Sequence, residues 1–253
     1  VTPPAPSVPA RPPAATFVVL AKAPVPGLVK TRLTSAYSDH EAAALAAAAL
    51  LDSLDAVRAA VALAGPGERR LVCALTGDLD AAAAPVALGA GLEEFRVVAQ
   101  RGEGLGERIA HAHADAAASG NEDAAADLDG ATVQIGMDTP QVDPAVLAAA
   151  ADRVTVPDGP DAVLGAAADG GWWLLALRRA ADARLVAPVP MSTPETGRLT
   201  RRALEDAGLR VEAAPVLSDV DEPGDVVRVA ASCPDSRFAA LAGVLGGRAA
   251  VAS

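Results

Sequence analysis

Short apolar runs alternate along the chain with longer periodic or alanine-rich stretches, and Pro, Gly or acidic segments punctuate most of the changes. TFVVLA at 16–21 is β-branched, apolar and followed at once by a Pro/Gly loop, the pattern of a short buried strand. RLVCALT at 70–76, FRVVA at 95–99 and ATVQIG at 131–136 repeat it. Further strands are expected at 162–168 and Trp172–Leu177, flanking Asp169-Gly170-Gly171, and at 211–215. Helical patterns lie between them. From Asp39 to Leu63 the chain is alanine-rich, and Leu50, Leu54, Val57 and Val61 at 4-3-4 spacing give it one apolar face. Residues 104–118 read as a helix, as does 144–151, with Asp143 as N-cap and Pro144 in the first helical position. A helix at 192–207 is expected to open on the capping-box pattern Ser192-Thr193-Pro194-Glu195, and 234–245 closes the series. Strands alternating with helices predict an α/β fold with a mainly parallel sheet covered on both faces.

Composition narrows this picture. The chain has 253 residues, 51% of them hydrophobic but only 2% aromatic, so its core is expected to rest on Ala, Val and Leu. One folded domain is expected at 16–248, behind a Pro-rich tail at 1–15 that reads as polyproline-like or disordered. SGNEDAAADLDG at 119–130 reads as a solvated acidic loop whose spacing fits no calcium loop. The net charge of −11 argues against nucleic acid or an anionic membrane as a partner, because the chain repels phosphates outside a local basic pocket. No apolar run reaches the roughly 18 residues of a membrane span, and no charged start leads into an apolar stretch; the expected location is the cytoplasm. Cys73 and Cys233 have neither metal-ligand spacing nor a disulfide framework around them.

Four segments could carry chemistry. In the first, LAKAPVPGLVKTRL, the only two lysines of the chain, Lys22 and Lys30, stand with Arg32 just after the first strand. That is the carboxyl edge at which open α/β sheets bind ligands. Gly27 lets backbone approach a ligand, and three cations can neutralise a di- or triphosphate. An ordinary turn with solvated charges is the competing reading. The second is QIGMDTP, where Asp138 ends an apolar strand and could hold Mg²⁺ or Mn²⁺ beside nucleotide phosphates, or simply shape a turn. The third is Asp169-Gly170-Gly171-Trp172-Trp173. Adjacent strand residues face opposite ways, so one Trp can enter the core while the other lines a cleft. The fourth is LSDVDEP, where Asp219 or Asp221 could supply a second metal ligand; Asp221 could equally be a helix N-cap. His111 and His113, two apart on a helix, make no metal pair, and no Ser/His/Asp arrangement stands at an informative spacing.

Together AKAPVPGLVKTRL, QRGEGLGERI, IGMDTP, DGGWWLLAL, MSTPETG and LSDVDEPGDV resemble a bacterial family of GT-A-like transferases, DUF2064, over about residues 16–240. A more distant likeness is to the guanylyltransferases that activate 2-phospholactate or the molybdenum cofactor. The resemblance implies a Rossmann-like GT-A three-layer sandwich with the nucleotide over the first loop. It implies phosphate binding by Lys22, Lys30 and Arg32 with Gly27, and metal binding by Asp138 with Asp221 or Asp219. It places Gln100, Gly104 and Gly106 where a base or ribose is contacted. Met191 stands where an aromatic is frequent, and Thr139 where a small residue or Cys is commoner.

These readings point to a metal-dependent transferase with a nucleotide donor and a small-molecule acceptor. Lys30 is the catalytic cation, Asp169 the candidate base or acceptor-positioning group, and Trp172, Trp173, Ser192 and Thr193 the acceptor wall. Three cations suit a triphosphate, which tips the expectation toward nucleotidyl transfer to a small phosphorylated or phosphonate acceptor. Glycosyl transfer from a nucleoside-diphosphate sugar is the alternative, and a nucleotide-binding module without turnover the third reading. The oligomeric state stays open.

Overall fold

The computed structural model describes residues 15–65, 67–118 and 130–251, without the side chains of 248–251. The Pro-rich tail, apart from Ala15, and the acidic 119–130 loop, apart from Gly130, lie outside the described residues. Seven strands form one sheet: β1 (Ala15–Lys22), β2 (Arg69–Thr76), β3 (Arg96–Ala99), β4 (Ala131–Ile135), β5 (Ala162–Ala167), β6 (Trp172–Leu177) and β7 (Val211–Leu217). Their order is β3-β2-β1-β4-β6-β5-β7. All neighbours are parallel except β6, which runs antiparallel to both β4 and β5. The sheet is therefore mainly parallel, as the strand–helix alternation implies, with one reversed strand made by the β5–β6 hairpin.

The helices are α1 (Asp39–Leu63), α2 (Pro85–Leu92), α3 (Leu105–Ala117), α4 (Pro144–Thr155), α5 (Thr196–Asp206), α6 (Pro223–Ser232) and α7 (Arg237–Val251). Single 3-10 turns lie at Thr31–Ser35 and Ala180–Leu185. One sheet face packs Phe17, Val19, Val133, Ile135 and Leu174 against Leu50 and Leu54 of α1 and Leu147 of α4. The other face packs Val18 and Val72 against α3, and Leu164, Leu175 and Leu177 against Ile109 and Leu204. The helix α1 spans the predicted boundaries and buries alanines on several sides, because its far edge meets Phe238 of α7 and Val226 and Val229 of α6. Small side chains let those helices approach closely, which is how a core so poor in aromatics closes. Ser38 and Glu41 cap α1 reciprocally. Among the described residues no helix is long and apolar enough to cross a membrane.

Several expected boundaries move. Helix α5 begins at Thr196 rather than Ser192. Ser192 sits in the left-handed region at φ 59, and Thr193 and Thr196 turn the chain through their hydroxyls instead of forming a capping box. Asp221 does not cap α6; Glu222 does, with Asp225 returning the bond. Helix α7 starts three residues later than expected, at Arg237, where Asp52 of α1 accepts from the Arg237 and Phe238 amides. Helix α2 and the Ala180–Leu185 turn are short and apolar without clear periodicity, and hydrophobic pattern does not reveal them.

Candidate active site

The carboxyl ends of β1 and β4 and the loop after β7 meet at one edge of the sheet. The Val220 amide donates to the Asp138 carbonyl at 3.0 Å, and Gln141 Nε2 donates to the Ser218 carbonyl at 2.5 Å. These bonds draw the LSDVDEP loop onto the end of β4. Asp138 thereby lines one cavity of about 630 Å³ with Asp219 and Asp221, far from it in sequence, a size usual for small-molecule sites.

Two cations of the first loop close onto this acidic edge. Lys30 takes the left-handed conformation at φ 47, uncommon for a residue with a side chain, and its Nζ lies 2.7 Å from Asp138 Oδ2. Burial alone would lower the Lys30 pKa, but Asp138, Asp221 and Asp219 outweigh it and hold the pKa above its ordinary value. Arg32 pairs with Asp221. Lys22 is exposed and spans the loop by donating to the Leu28 carbonyl at 2.7 Å. Asp219 is half-buried, and burial together with Asp138 and Asp169 pushes its pKa up to about 6 against the pull of Lys30.

Opposite this edge, Asp169 begins the β5–β6 turn and accepts from the Gly171 amide at 2.8 Å. Gly170 sits at φ +92, and a Cβ there would come 2.0 Å from the Pro194 carbonyl oxygen, so the turn and the start of α5 interlock only through glycine. The two tryptophans split as strand alternation predicts. Trp173 is 3% exposed, packs with the α1 face and donates from Nε1 to the Pro215 carbonyl at 2.9 Å. Trp172 faces the other way, toward the Ile109 and Leu164 cluster.

The cavity wall brings together Arg32, Asp138, Asp169, Asp219 and Asp221. Trp172, Trp173, Ser192 and Thr193 complete it on the far side. Lys30 reaches it through Asp138. Lys22, Gly27, Gln100, Gly104 and Gly106 are not on the wall. Gln100 pins the sheet by donating from Nε2 to the Ala21 and Ala74 carbonyls at 2.8 and 2.9 Å. Gly106 is buried where α3 crosses Val186–Ala187, and a Cβ would lie 2.5 Å from the Ala187 oxygen, a packing reason that needs no ligand. Gly104 precedes α3 at φ +88, with open space around it. His111 and His113 point apart: His111 meets the Arg101 carbonyl, and His113 is fully buried against Thr132.

Residues 56–193 match the model of a family described as an uncharacterized protein conserved in bacteria, DUF2064. The chain belongs to this family. The matched span contains IGMDTP and DGGWWLLAL, but begins after the lysine loop and ends before LSDVDEP, so it is narrower than the motif resemblance. A candidate nucleotide-diphospho-sugar transferase from Desulfovibrio desulfuricans G20 is 26% identical with a TM-score of 0.70, over 90% of this chain and 93% of that one. A CMP:2-keto-3-deoxy-manno-octonic acid synthetase complexed with CTP is 14% identical (TM-score 0.49; 85% of this chain, 96% of that one). A Methanothermobacter nucleotidyl transferase is 18% identical (TM-score 0.49; 85% and 95%). These last two likenesses are too remote to carry an argument. No curated protein matches the chain.

The sheet-edge carboxylates define what the DUF2064 site could hold. Among the described residues no three His, Cys, Asp or Glu side chains converge as a ready metal cage. A hard ion bound by one or two carboxylates plus substrate phosphates does not need one. Asp138, Asp219 and Asp221 offer carboxylate oxygens to one cavity, the hard donor type that Mg²⁺ or Mn²⁺ takes, so the donor set fits either ion. Gln134, His113 and Thr132 beneath the cavity were given no site role from the sequence, although Gln134 opens QIGMDTP. The signal for Thr132 and Gln134 was present in ATVQI, a buried strand with two polar residues on one face.

Proposed function

We propose that this DUF2064 chain is a metal-dependent transferase with a nucleotide donor, and that the donor is a nucleoside-diphosphate sugar. The carrying observation is the charge pattern at the sheet edge. Four carboxylates, Asp138, Asp169, Asp219 and Asp221, face two cations, Lys30 and Arg32, both already paired. The excess of two negative charges matches one divalent ion and leaves little positive charge over for a triphosphate. A sugar diphosphate, with half that charge, fits better, and the 26% identical candidate sugar transferase supports the same donor. The sequence alone leaned the other way because it counted three free cations.

In this reading Asp138 holds the Mg²⁺ or Mn²⁺ with Asp219 or Asp221. An ion held there would supply positive charge to the diphosphate leaving group. Lys30 and Arg32 exchange their aspartate partners for phosphate oxygens, and Lys22 and the Gly27 backbone steady the outer phosphate. Gln100, Gly104 and Gly106 support the loop beside the base and ribose. Asp169, exposed at the rim, accepts the proton of the acceptor hydroxyl as it attacks. Trp172, Trp173, Ser192 and Thr193 wall off the acceptor and exclude water.

Nucleotidyl transfer from a triphosphate to a small phosphorylated or phosphonate acceptor is the second reading. The observation favouring it is Lys22, which donates to a carbonyl rather than a carboxylate and keeps its full charge. Phosphorus NMR of incubations with sugar nucleotides or triphosphates and Mn²⁺ separates the two. Nucleoside diphosphate release that is lost in Asp138→Ala is expected. Pyrophosphate release supports the second reading. Binding that survives Asp138→Ala, with no product from any donor, contradicts the proposal and leaves a binding module.

A further inference from the structure

A polar stripe runs beneath the apolar half of the cavity. Thr132 and Gln134 alternate on β4 and share the face turned to α3. Gln134 is 2% exposed, and Thr132 and His113 are fully buried. His113 Nδ1 lies 2.7 Å from Thr132 Oγ1. His113 Nε2 and Gln134 Oε1 are both buried without a partner in hydrogen-bonding geometry among the described residues. The two side chains are nonetheless near enough for the amide to hold the imidazole pKa up against the burial that drives it down to about 4.

A neutral imidazole donates from one nitrogen and accepts at the other. For Gln134 Oε1 to find a partner, the His113 proton must sit on Nε2, and Nδ1 then accepts from the Thr132 hydroxyl. This assignment fixes the amide: the oxygen faces down to His113, and the NH₂ group faces the cavity that Gln134 lines. Trp172 lines the same cavity, and its Nε1–H is buried with no acceptor among the described residues. The Gln134 NH₂ group and the Trp172 indole thus border one space, with the indole Nε1–H itself buried behind the ring. Leu20, Leu105, Ile109 and Met191 supply an aliphatic wall, and Asp169 and Asp219 supply acceptors at the rim.

We infer that Gln134 and Trp172, with Gln134 positioned by His113 and Thr132, form a specificity subsite for a neutral hydroxyl-rich ring, a sugar or cyclic polyol. Ring oxygens accept from the Gln134 amide, and ring hydroxyls donate to the rim carboxylates. The C–H face packs on the indole and aliphatic wall. The inference rests on the transferase reading only in saying how the ring arrives, as the donor's sugar or as a separate acceptor.

Calorimetric titration compares UDP with UDP-glucose, GDP with GDP-mannose and ADP with ADP-glucose on wild type, Gln134→Leu and Trp172→Phe, all with Mn²⁺. Glucose, mannose and myo-inositol are then titrated into the diphosphate-loaded protein. The expected result is an affinity gain from the sugar, in one arm or the other, that falls about five- to tenfold in each variant while the diphosphate affinity stays unchanged. A gain in the first arm assigns the ring to the donor, and one in the second assigns it to the acceptor. A gain equal in wild type and both variants, or no sugar-dependent binding in either arm, overturns the subsite. If no diphosphate binds, the nucleotide reading fails separately, and the free sugars alone decide the subsite by the same criterion. Gln134→Met serves if the leucine variant does not fold. Nitrogen NMR of the three histidines reads the positioning role: Nε2-protonated His113 is expected. An Nδ1-protonated ring would turn the amide oxygen to the cavity and refute the donor assignment.

Discussion

Buried His113 makes the stability of this protein fall on mild acidification. In the fold it is fully buried and its pKa is lowered to about 4, against 6.5 for a free imidazole. Well above pH 6.5 the ring is neutral whether the chain is folded or not, and titration contributes nothing. Between 6.5 and 4 the unfolded chain takes up a proton that the folded chain refuses, so the native state loses stability as pH falls through that window. At pH 5 the loss from this one group is about 2 kcal/mol, nearly all of it gained back by pH 7. Asp219, raised to about 6, works in the opposite sense, since its protonation is easier in the fold. Comparison with a variant therefore isolates the histidine. His113→Asn can still bond Thr132 but does not titrate. Urea unfolding of both proteins at pH 7, 6 and 5 should show wild type losing about 2 kcal/mol relative to the variant across the series. Parallel curves would mean that His113 is solvated or protonated in the fold, and would remove the neutral ring on which the Gln134 orientation depends.

Two further substitutions test the geometry around the site. Lys30→Met leaves Asp138 facing Asp219 and Asp169 without its partner and should destabilise by about 1–2 kcal/mol, less than for a fully buried pair because Asp138 is 31% exposed; adding Asp138→Asn should recover part of the loss in a denaturant double-mutant cycle, and purely additive effects would show that the pair is not formed. Gly170→Ala forces a Cβ onto the Pro194 backbone from a left-handed position and should cost more than about 2 kcal/mol in urea unfolding; a cost below half that would show that the β5–β6 turn and the start of α5 are not locked together.

Strand positions and the long helix were legible because their signals are local. The run TFVVLA, the 4-3-4 spacing of Leu50, Leu54 and Val57, and Asp143-Pro144 each specify an element without help from the rest of the chain. Ser192 shows the limit. Its sequence fits a capping box, but the tertiary bond from the Gly197 amide to the Gly170 carbonyl fixes where α5 can begin. The acidic edge was legible as separate motifs. Their pairing was not, because Lys30 with Asp138 and Arg32 with Asp221 join residues more than one hundred positions apart. That pairing is what reduces the free positive charge and moves the favoured donor from a triphosphate to a sugar diphosphate. Gln134 opens the QIGMDTP segment, but a polar pair with Thr132 in a buried strand has no assignable role until its neighbours across the sheet and on α3 are known.

The most direct test of the nucleotide site is a thermal-shift screen of wild type and Asp138→Ala with UDP-glucose, GDP-mannose, ADP-glucose and the nucleoside triphosphates, each with and without Mn²⁺. A donor at 100 times its dissociation constant stabilises by about 2.7 kcal/mol. One sugar nucleotide is expected to raise Tm by several degrees only when Mn²⁺ is present, and Asp138→Ala to abolish the shift. No shift with any nucleotide, or one that is indifferent to metal and to Asp138, would contradict the proposal.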